Sequence, residues 1–234
     1  MLWPQIMDKR MMNKTLTNIR RRLLALDTAA VSDALDSIYI AGGIPGIKPQ
    51  VAGRKIAGPA FTVQYEAYEP EKNTFMNAGT YIDEVPEGAI IVVDNQGRED
   101  CTSWGNILTT KALQKKIAGT VIHGSARDIA DIRNMNYPLF AANIFMVSGK
   151  NRARVRAVQC GLEISGVKIE PGDWIMGDDN GVVAIPRDRL MEVVLLAENV
   201  EKTEHQILGS INEGTRLEDA RRTLGYAAPW GLKG

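Results

Sequence analysis

Apolar residues follow three rhythms along the chain. Between positions 14 and 40 they recur at helical spacing, as Leu16, Ile19, Leu23 and Leu26 and then Val31, Ala34, Leu35 and Ile38. Two helices are expected there, broken at Asp27-Thr28, with Thr28 or Ser32 capping the second. Residues 60–65 alternate and read as a strand. Residues 89–94 and 119–124 are continuous β-branched runs, which fit strands buried on both faces. Residues 105–116 read as a helix with Ile107, Leu108, Ala112 and Leu113 on its apolar side. Residues 129–134 form a helical turn, and 138–141 lead into a further strand. Residues 74–82 can form a short helix. This middle third is β-loop-α-β-loop-α-β, the pattern of a parallel sheet with ligands at the carboxyl ends of its strands.

The last third has a different rhythm. Short strands at 167–169, 174–177 and 181–185 are separated by the turn residues Pro171-Gly172-Asp173 and Asp178-Asp179-Asn180-Gly181. A long amphipathic helix over 190–208 follows, and residues 216–234 read as a short helix and an extended arm. With no repeat or linker, residues 1–234 are expected to form one α/β domain with its core at about 25–215.

Composition narrows the chemistry. Among 234 residues, 28 Lys and Arg balance 28 Asp and Glu, and the lack of basic excess disfavours nucleic acid as the main ligand. Two Cys and two His nearly exclude a Cys/His metal site, so any metal should be hard and oxygen-ligated. No signal peptide or membrane span is visible, so a cytoplasmic protein without a membrane partner is expected.

Two junctions carry candidate chemistry. Residues 103–108 (Ser-Trp-Gly-Asn-Ile-Leu) lead from loop to helix, where free amides favour anions and Gly105 permits close approach of a ligand to the backbone. Residues 123–128 (His-Gly-Ser-Ala-Arg-Asp) end a buried strand with adjacent opposite charges. Arg127-Asp128 reads first as a surface ion pair or cap, and second as a carboxylate-binding arginine beside a cation ligand. Lys150, Arg152, Arg154 and Arg156 alternate, first as the solvated face of a strand and second as the lining of an anion site. The acidic turn at 178–181 lacks the remaining ligands of a calcium loop and reads as a hairpin.

The order and spacing of four blocks, at 31–36, 56–63, 119–128 and 171–183, resemble the RraA-like family, which includes the 4-hydroxy-4-methyl-2-oxoglutarate aldolases. The resemblance spans about residues 25–215. It implies a swivelling β/β/α sandwich with a mixed sheet and flanking helices, assembled as a homotrimer or homohexamer with sites between subunits. It also implies a divalent-metal (class II) pyruvate aldolase that acts on small 2-oxo acids and often decarboxylates oxaloacetate. By position, Asp128 would hold Mg²⁺ or Mn²⁺, and Arg127 would meet the substrate's keto oxygen or carboxylate. Gly105 and the amides of Asn106, Ile107 and Leu108 would receive the pyruvyl carboxylate. A glutamate of a neighbouring subunit would complete the site, with Glu204 the best match and Glu201 second.

Asn106 stands where the aldolases have an acidic residue, with twenty residues between it and Arg-Asp, and His123 replaces an expected Asp. Asn106 can orient a water but supplies no carboxylate base. The expected function is therefore a weakened or altered 2-oxo acid lyase. The alternative is a non-enzymatic regulator that binds an RNA-degrading endonuclease, as some members of the family do.

Overall fold

In the computed structural model the described residues are 9–69 and 79–226. In chain order the elements are α1 (Lys9–Ala25), α2 (Thr28–Ser37), β1 (Lys48–Pro49), β2 (Ile56–Ala67), a 3₁₀ turn (Thr80–Glu84), β3 (Ile90–Asp94) and β4 (Thr102–Trp104). Then come α3 (Asn106–Gln114), β5 (Gly119–Ala126), α4 (Ile129–Asn134), β6 (Leu139–Ile144), β7 (Ala153–Val158), β8 (Leu162–Ile164) and β9 (Val167–Ile169). The chain closes with β10 (Trp174–Asp178), β11 (Gly181–Ile185), α5 (Leu190–Asn212) and α6 (Leu217–Thr223). Residues 40–190 form one compact unit, and the two terminal segments form the other.

The first unit is built on a mixed nine-stranded sheet ordered β1-β6-β5-β3-β2-β10-β11, with β4 added to β5 and β7 to β2. The expected parallel set is present: β3, β5 and β6 pair in parallel, and β2, read only as an alternating strand, joins them parallel to β3. The continuous apolar runs have the predicted cause. In β3, Ile91 and Val93 enter one core cluster while Ile90 and Val92 enter another, so both faces of the strand are covered. β2 is longer than its alternating stretch suggested. Its first residues pair with β10, its middle with β3 and its end with β7, joining the two halves of the sheet.

The other unit holds α1, α2, α6 and all of α5 past Leu190. The helix break falls where expected, but the cap is Asp27, whose carboxylate accepts from Ala30 N at 2.8 Å, and neither Thr28 nor Ser32 caps. Arg22 forms two hydrogen bonds with Glu198, at 2.6 and 2.7 Å, within this unit. Most of the helix expected at 74–82, and the arm at 227–234, lie outside the described residues. No helix among the described residues is long and apolar enough to cross a membrane.

β4 was not foreseen; the polar stretch 95–103 read only as a loop. It exists because Thr102 is gripped on both sides, by parallel pairing to Ser125 and by a parallel bridge to Ser148. The second grip depends on Gly149, where an added Cβ would overlap the Thr102 carbonyl oxygen. Gly149→Ala should therefore part the 148–150 segment from β4, since backbone cannot yield as a side-chain tip can. Overpacking of this kind costs about 1–3 kcal/mol, which should appear as a lower urea midpoint with an unchanged slope.

Candidate functional site

The parallel strands end in a cleft with a cavity volume of about 140 Å³. β4 and the start of α3 supply Ser103, Trp104, Gly105, Asn106, Ile107 and Leu108 to its wall. The end of β5 supplies Arg127 and Asp128, and the 148–150 segment supplies Lys150. The two sequence junctions, twenty residues apart, thus meet in one place, at the carboxyl ends of the strands.

The joint between them is Asp128. It stands at the N-cap of α4 but makes no cap hydrogen bond there, because its backbone is left-handed (φ 59°, ψ 35°). Its carboxylate turns to α3 instead and accepts from Asn106 N at 3.0 Å, while Arg127 Nε lies 3.7 Å from the same oxygen. A carboxylate on the first amides of a helix is favourable through both hydrogen bonding and the helix dipole. Gly105 is needed for this contact: an added Cβ would lie 2.6 Å from Asp128 Oδ2 and 3.3 Å from Arg127 Cγ. The close approach expected of a ligand at Gly105 is thus made by the protein's own side chains. α3 is held in turn by Thr109, whose hydroxyl accepts from Trp104 Nε1 at 2.8 Å and donates to the Gly105 carbonyl at 3.0 Å.

Of the three amides expected to receive a carboxylate, that of Asn106 is engaged by Asp128. Ile107 and Leu108 offer the other first-turn amides, which no acceptor within the helix can reach. The apolar side assigned to this helix is only partly right. Ile107 is 77% and Leu113 43% exposed, while Leu108 packs on the core and the fully buried positions are Thr109 and Ala112.

Asn106 donates its side-chain Nδ2 to Asp131 Oδ2 at 2.9 Å. That leaves its Oδ1 as an acceptor. Asp131 was missed in the sequence, although it lies three residues after Asp128 on a helical turn, a spacing that shares a face. The alternation from Lys150 to Arg156 reads first as a strand face and second as the lining of an anion site. The strand begins only at Ala153, and Lys150 belongs to the cleft. Ser103 was also missed as a side chain.

His123 is not among the cleft's lining residues. Its Nδ1 lies 2.8 Å from Asp94 Oδ1, and its carbonyl accepts from Asn95 N and Gly97 N, so it clamps the loop leading to β4 onto β5.

Among the described residues no three His, Cys, Asp or Glu side chains cluster as a metal cage. Asp128 offers one carboxylate oxygen beyond the one used at α3. That suits Mg²⁺ or Mn²⁺, which take one or two carboxylates and complete their shell with water and substrate oxygens. Glu201 and Glu204 lie on α5, in the other unit. Burial pushes the Glu204 carboxyl above its usual range, and the negative charges of Asp33, Asp27 and Glu201 add to the shift.

The family model described as RraA-like, Aldolase/RraA, matches residues 28–184. Protein DlpA of Legionella pneumophila is 48% identical over 216 residues, covering 92% of this chain and 35% of DlpA, so the chain spans about a third of that relative. A protein of Halalkalibacterium halodurans named "Putative 4-hydroxy-4-methyl-2-oxoglutarate aldolase" is 32% identical over 164 residues, 69% of this chain and 73% of that protein. The crystal structure of an uncharacterized protein from Pseudomonas syringae pv. tomato matches with TM-score 0.80 and 48% identity, covering 88% of this chain and 97% of that one. That of Streptomyces coelicolor RraAS2, described as an unusual member of the RNase ES inhibitor RraA family, matches with TM-score 0.73 and 25% identity, covering 80% and 95%.

The raised proton affinity of Glu204 has a measurable consequence. A carboxyl whose folded pKa exceeds its unfolded one destabilises the fold once ionised, so its contribution is lost as pH rises through the folded pKa. Glu204→Gln should therefore raise Tm at pH 7 relative to the parent. The gain should vanish below the ordinary carboxylate range, where both forms are neutral. Thermal unfolding across pH 3.5–7.5 checks it.

Proposed function

This chain belongs to the RraA-like family, and on that premise we propose that it is a divalent-metal-dependent lyase of small 2-oxo acids acting through a pyruvate enolate. One observation carries the reading: Arg127, Asp128 and the N-terminus of α3 converge in one cleft. A 2-oxo acid presents a carboxylate and a neighbouring carbonyl, and the cleft offers a partner for each. The Ile107 and Leu108 amides receive the carboxylate. The Arg127 guanidinium lies where negative charge grows on the carbonyl oxygen during C–C cleavage, a preorganised donor of the kind worth about 10²–10³-fold. Mg²⁺ or Mn²⁺ held by Asp128 supplies Lewis acidity.

Retro-aldol cleavage also needs a proton taken from the 4-hydroxyl. No carboxylate side chain stands at position 106, and Asn106 Oδ1 orders a water for that task while Asp131 fixes the amide through Nδ2. Decarboxylation needs no such proton. The protein should accordingly decarboxylate oxaloacetate measurably and cleave 4-hydroxy-4-methyl-2-oxoglutarate weakly. We further propose a homotrimer or homohexamer in which Glu204, with Glu201 second, reaches the cleft of a neighbouring copy. The names of the aldolase relatives support the lyase reading.

The decisive measurement is exchange of the pyruvate methyl protons with D₂O, followed by NMR with Mg²⁺ or Mn²⁺. Exchange should be metal-dependent and fall about 10²-fold or more in Arg127→Ala. Asp128→Ala should lose Mn²⁺ binding itself, read by calorimetry. Absence of exchange with either metal would replace this reading by the non-enzymatic regulator.

A second measurement addresses the base. Asn106→Asp should raise the cleavage rate more than the decarboxylation rate, toward the 10²–10⁴-fold typical of general-base help. The introduced carboxylate would face Asp131, and two adjacent carboxylates resist joint ionisation. The acid limb of the variant's pH profile should therefore move down when Asp131→Asn is added. Equal effects on both reactions would place the base elsewhere.

A further inference from the structure

One wall of the cleft is a face of the hydrophobic core. Tyr65, Trp104 and Ala153 line the cleft and belong to the core cluster that holds Ile91 and Val93, and Leu108 lines it while packing on the same cluster. The polar atom of Trp104 is already used on Thr109. Burial pushes the Tyr65 hydroxyl well above its usual range, so this wall carries no charge.

The charges elsewhere in the cleft are engaged. Arg127 Nε lies 3.7 Å from Asp128 Oδ2, and both serve the 2-oxo acid end. Lys150 is exposed and has a further interaction of its own. A second anionic group on the ligand would meet the apolar wall, where a carboxylate loses its hydration without gaining a partner.

Ser103 is a polar group set beside this wall. It is 7% exposed, lines the cleft, and its buried Oγ has no hydrogen-bond partner among the described residues. A buried hydroxyl without a partner forgoes the hydrogen bonds it made in water. A neutral hydroxyl entering the cleft restores one, as donor or acceptor.

Building on the 2-oxo acid lyase reading above, we propose that the Tyr65, Leu108 and Ala153 wall and Ser103 are specificity determinants for 4-hydroxy-2-oxo monocarboxylates with a short apolar tail. The wall takes the tail, which the small cavity limits to a few carbons, and Ser103 pairs with the 4-hydroxyl. Cleavage breaks the C3–C4 bond. Its electron pair becomes the pyruvate enolate, the 4-hydroxyl proton passes to the ordered water, and the tail leaves as a neutral aldehyde or ketone. Decarboxylation of oxaloacetate is compatible with the same wall, because the distal carboxylate leaves it as neutral CO₂.

A ligand series that cannot be cleaved isolates the wall: pyruvate, 2-oxobutanoate, 2-oxopentanoate and 2-oxoglutarate, whose binding to the full chain with Mg²⁺ is measured by calorimetry. Affinity should rise about fourfold per methylene from pyruvate to 2-oxopentanoate, the worth of one buried methylene. 2-Oxopentanoate should bind about tenfold or more tightly than 2-oxoglutarate, which has the same chain length and ends in a charge. Ala153→Val fills the wall, so it should flatten the series and leave pyruvate binding unchanged. Ser103→Ala should weaken 2,4-dihydroxypentanoate severalfold and leave 2-hydroxypentanoate unchanged; neither has the 2-oxo group that cleavage requires. A flat or falling series in the parent, 2-oxoglutarate binding as tightly as 2-oxopentanoate, or a series untouched by Ala153→Val would overturn the assignment of the wall. Equal effects of Ser103→Ala on the two hydroxy acids would overturn that of Ser103. Pyruvate proton exchange separates the two readings. Exchange with a flat series sinks only the apolar-tail proposal, whereas a rising series without exchange sinks only the lyase.

Discussion

A carboxylate on the first amide of a helix ties this site together. Asp128 leaves its own helix uncapped and caps α3 instead. It can do so because an aspartate tolerates a left-handed backbone better than most residues and because Gly105 leaves room for its oxygen. The contact fixes the end of β5 against the start of α3. It places Arg127 beside the helix N-terminus and leaves the second carboxylate oxygen available. Backbone of this kind persists where surrounding contacts over-determine it, and here Arg127 N donates to the Trp104 carbonyl on one side of Asp128 and Ile132 N to the Asp128 carbonyl on the other.

The rest of the sheet unit acts as a mount for that contact. β3 and β5 are covered on both faces, so their ends are fixed by packing. His123 and Asp94 lock the loop between β3 and β4 at its base, and Tyr137 stacks on Trp104 with ring centroids 6.2 Å apart. The loops that carry chemistry therefore start and end on rigid strands, the usual division of labour in α/β proteins.

A shared fold leaves the reaction open, since function resides in the site rather than in the framework. The relatives include a protein named "Putative 4-hydroxy-4-methyl-2-oxoglutarate aldolase" and one described as an unusual member of the RNase ES inhibitor RraA family. In this chain the carboxylate that meets the side chain at position 106 belongs to Asp131, one hydrogen bond away. The amide and the carboxylate have different proton chemistry: Asn106 donates and accepts hydrogen bonds but takes up no proton.

Much of the scaffold was legible in the sequence. Unbroken β-branched runs can be covered only as doubly buried strands, and alternation with helices dictates parallel pairing. Arg127 and Asp128 stood out because opposite charges ended such a strand. What the sequence could not supply was anything set by contacts across long separations. β4 is three residues long and exists through its neighbours Ser125 and Ser148. Lys150 belongs to the cleft because Gly149 packs on the Thr102 carbonyl, not because of its place in a basic alternation. The occupant of the Asn106 amide, the partner of its side chain and the burial of the Ser103 hydroxyl are likewise products of packing. Local pattern encodes which faces are buried; which polar groups meet depends on backbone register and loop closure, and these are decided only when the whole chain has folded.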